Sequence, residues 1–133
     1  MTAEPTSPVL APLVKQYAVL LTSHKKDGTG VGTPVNLVVE GDHAYFRTYK
    51  AWKVRRMRNN PEVEIAPSTV RGAPTGSEFK ARVRLLDEDG EEAKHAAKLL
   101  RHKHPVMHGV AVPLAHKVQR DRTLHYEVRV LEE

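Results

Sequence analysis

The sequence predicts a mainly β domain, an antiparallel barrel with helices on its outside. Two observations point there. Short stretches repeat the apolar–polar alternation of a half-buried strand: Val35, Leu37 and Val39; Ala44, Phe46 and Thr48; Ala81, Val83 and Leu85; Leu124, Tyr126, Val128 and Val130. The connections between the early stretches are tight turns such as Asp27-Gly28 and Gly41-Asp42, too short for crossover helices, so neighbouring strands must run antiparallel. Many strands with few helices read as a closed or nearly closed barrel.

Residues 1–12 read as a loose lead-in, and residues 13–133 as one domain. Tyr17 to Thr22 is a short apolar run of strand type. Gly28, Gly30 and Gly32 read as a hairpin with a close backbone approach, and Thr33-Pro34-Val35-Asn36 opens the next strand. Pro34 has no N–H for a ladder, so backbone groups beside it are left to meet the polar edge of a ligand ring. Ala44 to Thr48 completes a three-stranded meander. Ala51, Val54 and Met57 share one face of a helix over about 51–60, which Pro61 ends. Glu62 to Ala66 is a fourth strand, Val70 to Gly76 a loop and Ala81 to Leu85 a fifth strand. Asp89 with Glu92 resembles a capping box for a helix from Glu91 to about His102, with Ala93, Ala96, Ala97 and Leu100 as its apolar stripe. Residues 106–119 lean towards another helix, and Leu124 to Val130 is the last strand. The order is β-β-β-α-β-β-α-(α)-β.

The chain has 133 residues, enough for one core. It has no cysteine, which excludes disulfides, thiolate metal sites and a cysteine nucleophile. No apolar run approaches the ~20 residues of a membrane span. Residues 1–12 lack the basic start of a secretory signal, so a soluble, cytoplasmic protein is expected. The net charge is +5, with a pI of about 9.6, which favours anionic partners.

Much of that charge is concentrated. From Arg47 to Arg58 there are six basic residues and no acidic one. A strand here runs into a helix start bearing Thr48, Lys50, Ala51, Trp52 and Lys53. Such a start can cradle a phosphate, with N–H groups, the helix dipole and ammonium groups converging on one anion. The same charges could instead follow a nucleic-acid backbone or form a solvated helix face. Aromatic content of only 5% weakens the nucleic-acid reading, because single-strand binders stack bases on several rings.

Other motifs lead to bland readings. Gly28 to Gly32 precedes a strand, whereas a dinucleotide loop must open a helix. The eight histidines lack metal-ligand spacing, so no metal is expected. Asp87 to Glu92 does not have calcium-loop spacing. No Ser or Thr sits in a nucleophile elbow. The chain offers a place to hold a cofactor and no evident protein catalyst, as expected where the cofactor carries the chemistry. Catalytic residues are therefore left unassigned.

Tyr17-Ala18-Val19-Leu20-Leu21-Thr22, Lys26-Asp27-Gly28 and Gly32-Thr33-Pro34-Val35 resemble the opening of the pyridoxamine-phosphate-oxidase-like split β-barrel proteins. Lys53 to Asn60, and Ile65 to Ser68 followed by Val70 to Gly76, resemble the branch that uses the deazaflavin coenzyme F420. The resemblance runs from about Tyr17 to Val130. It implies a split β-barrel, a homodimer with cofactor sites at the interface, and hydride transfer to or from a small organic substrate. The phosphate would lie by Thr48, Lys50, Ala51, Trp52 and Lys53, with Arg56 on the same helix. The ring edge would meet the backbone of Thr33, Pro34, Val35 and Asn36, with Ser68 and Arg71 contributing. Neither nucleic acid nor membrane is implied. Trp52 departs from the small or basic residue common there; it would cap the pocket, stack on a ring or obstruct the phosphate. FMN fits the same cradle and is the alternative cofactor, and a non-catalytic F420 carrier is the alternative role.

Overall fold

The computed structural model describes residues 7–49, 52–104 and 123–131. A 3-10 turn at Ala11–Leu13 leads into β1 (Ala18–His24), β2 (Gly30–Val35), β3 (Leu37–Glu40) and β4 (His43–Tyr49). Helix α1 (Trp52–Asn59), β5 (Glu62–Ser68), β6 (Phe79–Leu85), α2 (Glu91–Lys103) and β7 (Thr123–Val130) follow. The expectation of a helix within 106–119 lies outside the described residues. Among those described, no helix is long and apolar enough to cross a membrane.

All neighbouring strands pair antiparallel, in the order β2-β1-β5-β6-β7-β4-β3. The two edge strands, β2 and β3, are separated along the chain by Asn36 alone. In a flat sheet seven strands wide those edges would lie roughly 28 Å apart, whereas Val35 and Leu37 can be at most about 7 Å apart. The sheet must therefore curl until its edges meet, giving a split β-barrel. The expected mainly β class with outer helices holds.

The strand count is seven, where the periodicity showed six. The difference lies at Asn36: Val35, Leu37 and Val39 read as one strand, whereas Val35 ends β2 beside β1 and Leu37 opens β3 beside β4. The start of β2 differs as well. The sequence reading put Gly28 to Gly32 in a turn and opened a strand at Thr33. The ladder instead starts at Gly30, opposite His24, and reaches Val35, opposite Val19. Gly28, at φ +90°, makes the actual turn. Gly32 lies so close to β1 that a Cβ would fall 2.9 Å from Leu20 Cδ1. Glycine there permits tight pairing and hides the strand's alternation. Pro34 sits opposite Leu20 on the edge strand β2, where its missing N–H costs no internal ladder bond.

Alternation determines which face is buried. Val19, Leu21, Val35, Leu37, Phe46, Val63, Ile65, Ala81, Val83, Tyr126 and Val128 fill the barrel. The Phe46 and Tyr126 rings stack there at 5.1 Å, worth about 0.5–1.5 kcal/mol beyond area burial. Leu10, within the stretch read as a lead-in, and Leu13 are also fully buried in this core. Outside the sheet, Ala93, Ala96 and Leu100 of α2 pack on Val38, Tyr45 and Leu86.

The capping box at the start of α2 is not made. The N-cap is Gly90 and carries no side-chain cap. Asp87 holds the preceding turn instead: its carboxylate accepts from Asp89 N and its carbonyl from Gly90 N. Glu92 is turned to Arg84, which donates to it at 2.8 Å, and to the Tyr45 hydroxyl. Glu92 instead joins an ion network in which Arg84 also holds the buried Glu127.

The far end of α2 ties down the edge-to-edge corner. Lys103 Nζ donates to Leu37 O at 2.7 Å and to Leu13 O at 3.1 Å, and Asn36 Nδ2 donates to Tyr17 O at 2.9 Å. Burial lowers the Lys103 pKa from 10.5 to about 8. Between those values the unfolded chain binds more protons than the folded one, so stability rises with pH. Burial raises Tyr45 and Tyr126 to about 12, which reverses the slope above pH ~10. Thermal unfolding should therefore show the advantage of the wild type over Lys103→Met growing from pH 8 to 10. A constant difference would mean that Lys103 is not shifted.

Candidate functional site

Helix α1 follows β4 and packs on β1. Met57 is buried in the barrel core, which orients the helix. Arg56, one residue earlier, turns to β1, where its Nε donates to Ser23 Oγ at 2.7 Å. Ser23 is fully buried. Lys53, one turn towards the helix start, is partly buried. Burial lowers its pKa, and the positive charge of Arg56 lowers it further. Among the described residues, neither Lys53 nor Arg56 forms a salt bridge with a carboxylate. Two neighbouring, partly desolvated cations without a counterion suit an anion.

Strand β2 supplies a second feature. Thr33 lies opposite Leu21, which points into the barrel, and its Oγ1 is buried with no hydrogen-bond partner among the described residues. An unpaired buried hydroxyl costs about 1–3 kcal/mol. Thr48, on β4, is buried, and its hydroxyl makes a long 3.3 Å bond to Tyr49 O. β2 and β4 approach one another.

The expected ring-edge residues group at the other end of β1. Pro34, Val35 and Asn36 line a cleft of about 410 Å³ with Tyr17, Ala18 and Val70. Ser68 is buried opposite Ala18, its hydroxyl donating to Thr69 O and its carbonyl accepting from Gln16 Nε2. Arg71 is exposed in the loop after β5. The adjoining Gly72 lies against Pro34: a Cβ there would be 3.5 Å from Pro34 Cδ. Lys50 and Ala51 lie outside the described residues, and Trp52 is described only as the first residue of α1.

Two groupings were not expected from sequence. One is a larger cleft of about 700 Å³, bounded by the β1–β2 hairpin (His24, Lys25, Lys26, Val31) and by α1 (Arg55, Arg56, Asn59). The basic helix face was visible in the sequence, as was the Lys25-Lys26 pair. That they face one another follows from α1 packing on β1, which no local pattern encodes. The other is His125, buried on β7 beside Arg47. Its Nδ1 and backbone N both engage Glu88 at 2.8 Å, and burial holds the ring below its ordinary pKa against the pull of Glu88.

The family model described as pyridoxamine 5'-phosphate oxidase matches residues 8–127. No curated protein matches the chain. Among solved structures, the heme storage protein HutZ of Vibrio cholerae is similar at a TM-score of 0.71 and 12% identity, covering 93% of this chain and 92% of that one. A chain described as an F420 reductase is similar at a TM-score of 0.60 and 17% identity, covering 91% and 92%. A FAD-binding protein of Mesorhizobium loti is similar at 0.59 and 16%, covering 99% and 95%. At identities this low the likeness is one of fold.

Thr33→Val should remove the unpaired hydroxyl without changing side-chain shape. The prediction is a cofactor-free protein stabilised by about 1–2 kcal/mol in urea unfolding. Equal or lower stability would mean that the hydroxyl is already satisfied.

Proposed function

The chain belongs to the pyridoxamine 5'-phosphate oxidase family, and from that premise we propose that it is an oxidoreductase that holds coenzyme F420 between β2 and α1. One observation carries the reading. Lys53 and Arg56 lie side by side, partly desolvated and, among the described residues, without a carboxylate partner, on a helix that packs on β1, the strand paired with β2 and its unpartnered Thr33 hydroxyl. A phosphate would neutralise the first pair, and a ligand oxygen would satisfy the hydroxyl.

In this reading Lys53 and Arg56 bind the phosphate, with Thr48, Lys50 and the N–H groups at Ala51 and Trp52 completing the cradle. Backbone groups of Thr33 to Asn36 orient the ring edge, and Ser68 and Arg71 bound its far side. When bound, the reduced deazaflavin supplies a hydride to an electrophilic carbon of a small organic substrate. The protein supplies position and excludes water.

A homodimer fits the same cleft. Tyr17 and Val70 stand 49% and 62% exposed at its rim, and a second copy would cover them while closing the site. FMN is the second reading, favoured by the fold likeness to a FAD-binding protein, since a flavin phosphate needs the same cations. A carrier without a substrate of its own would use the cradle unchanged.

Fluorescence titration of the purified protein with F420 and with FMN tests this reading. Micromolar or tighter binding of F420 is expected, with Lys53→Ala weakening it by about 1.5–3 kcal/mol through loss of a charge-assisted phosphate contact. Preference for FMN would move the assignment to the flavin. An unchanged affinity in Lys53→Ala would move the phosphate elsewhere.

A further inference from the structure

His125 lies between Leu124 and Tyr126, which turn to the barrel core, so its side chain projects from the outward face of β7. That side chain is nevertheless only 8% exposed. Glu88, in the connection from β6 to α2, grips it twice. One carboxylate oxygen accepts from the His125 backbone N at 2.8 Å, and the other meets ring Nδ1 at 2.8 Å. An ionised carboxylate only accepts, so the proton of the neutral ring is on Nδ1. Nε2 then carries a lone pair, and it is buried with no hydrogen-bond partner among the described residues.

A second proton would have to go to Nε2, and the surroundings oppose it. It would create a buried N–H with no acceptor. Arg47 stands directly opposite on β4, on the same face, and its positive charge acts against another cation there. Tyr49 on β4, Arg101 of α2 and Glu88 are the charged or titratable groups that act on Arg47 in turn. On the β6 side, Leu86 brings only an apolar side chain, and its N donates to His125 O at 2.9 Å. Glu127, the same-face neighbour on β7, is committed to Arg84 and Arg129. Glu88 is the group that draws the proton in, and burial outweighs it.

We propose that His125 is an acid-released catch: neutral, it holds the β6–α2 connection on β7 through Glu88, and protonated, it leaves its site and lets that connection and the start of α2 open. Glu88 is 36% exposed, so the connection can move into solvent. The closed ring takes its proton below the ordinary histidine value of 6.5, whereas an opened ring takes it there. Between those values the open form binds the extra proton. Closure is therefore complete above pH 6.5 and weakens as the pH falls, by at most about tenfold per pH unit. No residue assigned to the cofactor takes part, so the catch stands apart from that reading and is measured on cofactor-free protein.

The test is amide hydrogen exchange of the full chain between about pH 7.5 and about pH 5, corrected for the intrinsic pH dependence of exchange. Protection should fall across residues 86–93 and 123–125, with β1 and β5 unchanged. His125→Asn keeps an N–H beside Glu88 and cannot titrate, so protection there should no longer depend on pH. Arg47→Met keeps the ring and removes the opposing cation. Followed by proton NMR, its His125 ring should titrate at higher pH than the wild-type ring, and the acid loss of protection should shrink. Should His125→Asn not fold, the wild-type and Arg47→Met titrations decide. A loss of protection that persists in His125→Asn belongs to another group, such as His104 at the far end of α2, and overturns the inference. Wild-type protection that ignores pH, or a ring titration that Arg47→Met leaves in place, overturns it as well.

Discussion

One residue joins the two edges of the sheet, and the rest of the architecture follows from it. Asn36 ends β2 on one edge and starts β3 on the other, so the seven strands cannot lie flat. Curling leaves an interior only as wide as its side chains, filled by Phe46, Tyr126 and the aliphatic residues of β1, β5 and β6. The corner needs the carbonyls of the buried Leu13 and Leu37 satisfied, and Lys103 of α2 donates to both. A half-buried ammonium with a depressed pKa is a costly clasp, retained where closure depends on it.

The same closure shapes the candidate site. β2 pairs with β1 on one side only, and it also approaches β4. This is where the barrel is split, and where the buried Thr33 hydroxyl has no hydrogen-bond partner among the described residues. A packed barrel with no ligand to hold would place an apolar residue at position 33 and a carboxylate near position 53. In the proposed reading, keeping these groups costs stability in the empty protein and favours a bound anion, the usual opposition between stability and function.

The strands with clean alternation, from β4 to β7, could be read from the sequence, because one face of each meets the core. β2 could not be read in full, since Gly30 and Gly32 carry no side chain to alternate. Its close approach to Leu20 and Thr22 becomes visible only when β1 is in place. The capping-box expectation failed for a related reason: Glu92 has a tertiary partner, Arg84, that lies on another element. Of the candidate site, the basic run 47–58 was legible as charge. Its division was not. Arg56 reaches across to Ser23 on β1, a contact between residues 33 positions apart. The hairpin lysines that complete the basic cleft carry no local sign of facing a helix.

Amide hydrogen exchange, measured with and without F420, tests the central claim most directly, because it reports where a ligand sits without presuming which side chains bind it. Binding in the split predicts slowed exchange in residues 30–37 and in the first turns of α1, with β6 and the body of α2 unchanged. Protection confined to α2 and β7, or absent at saturating F420, would contradict the account.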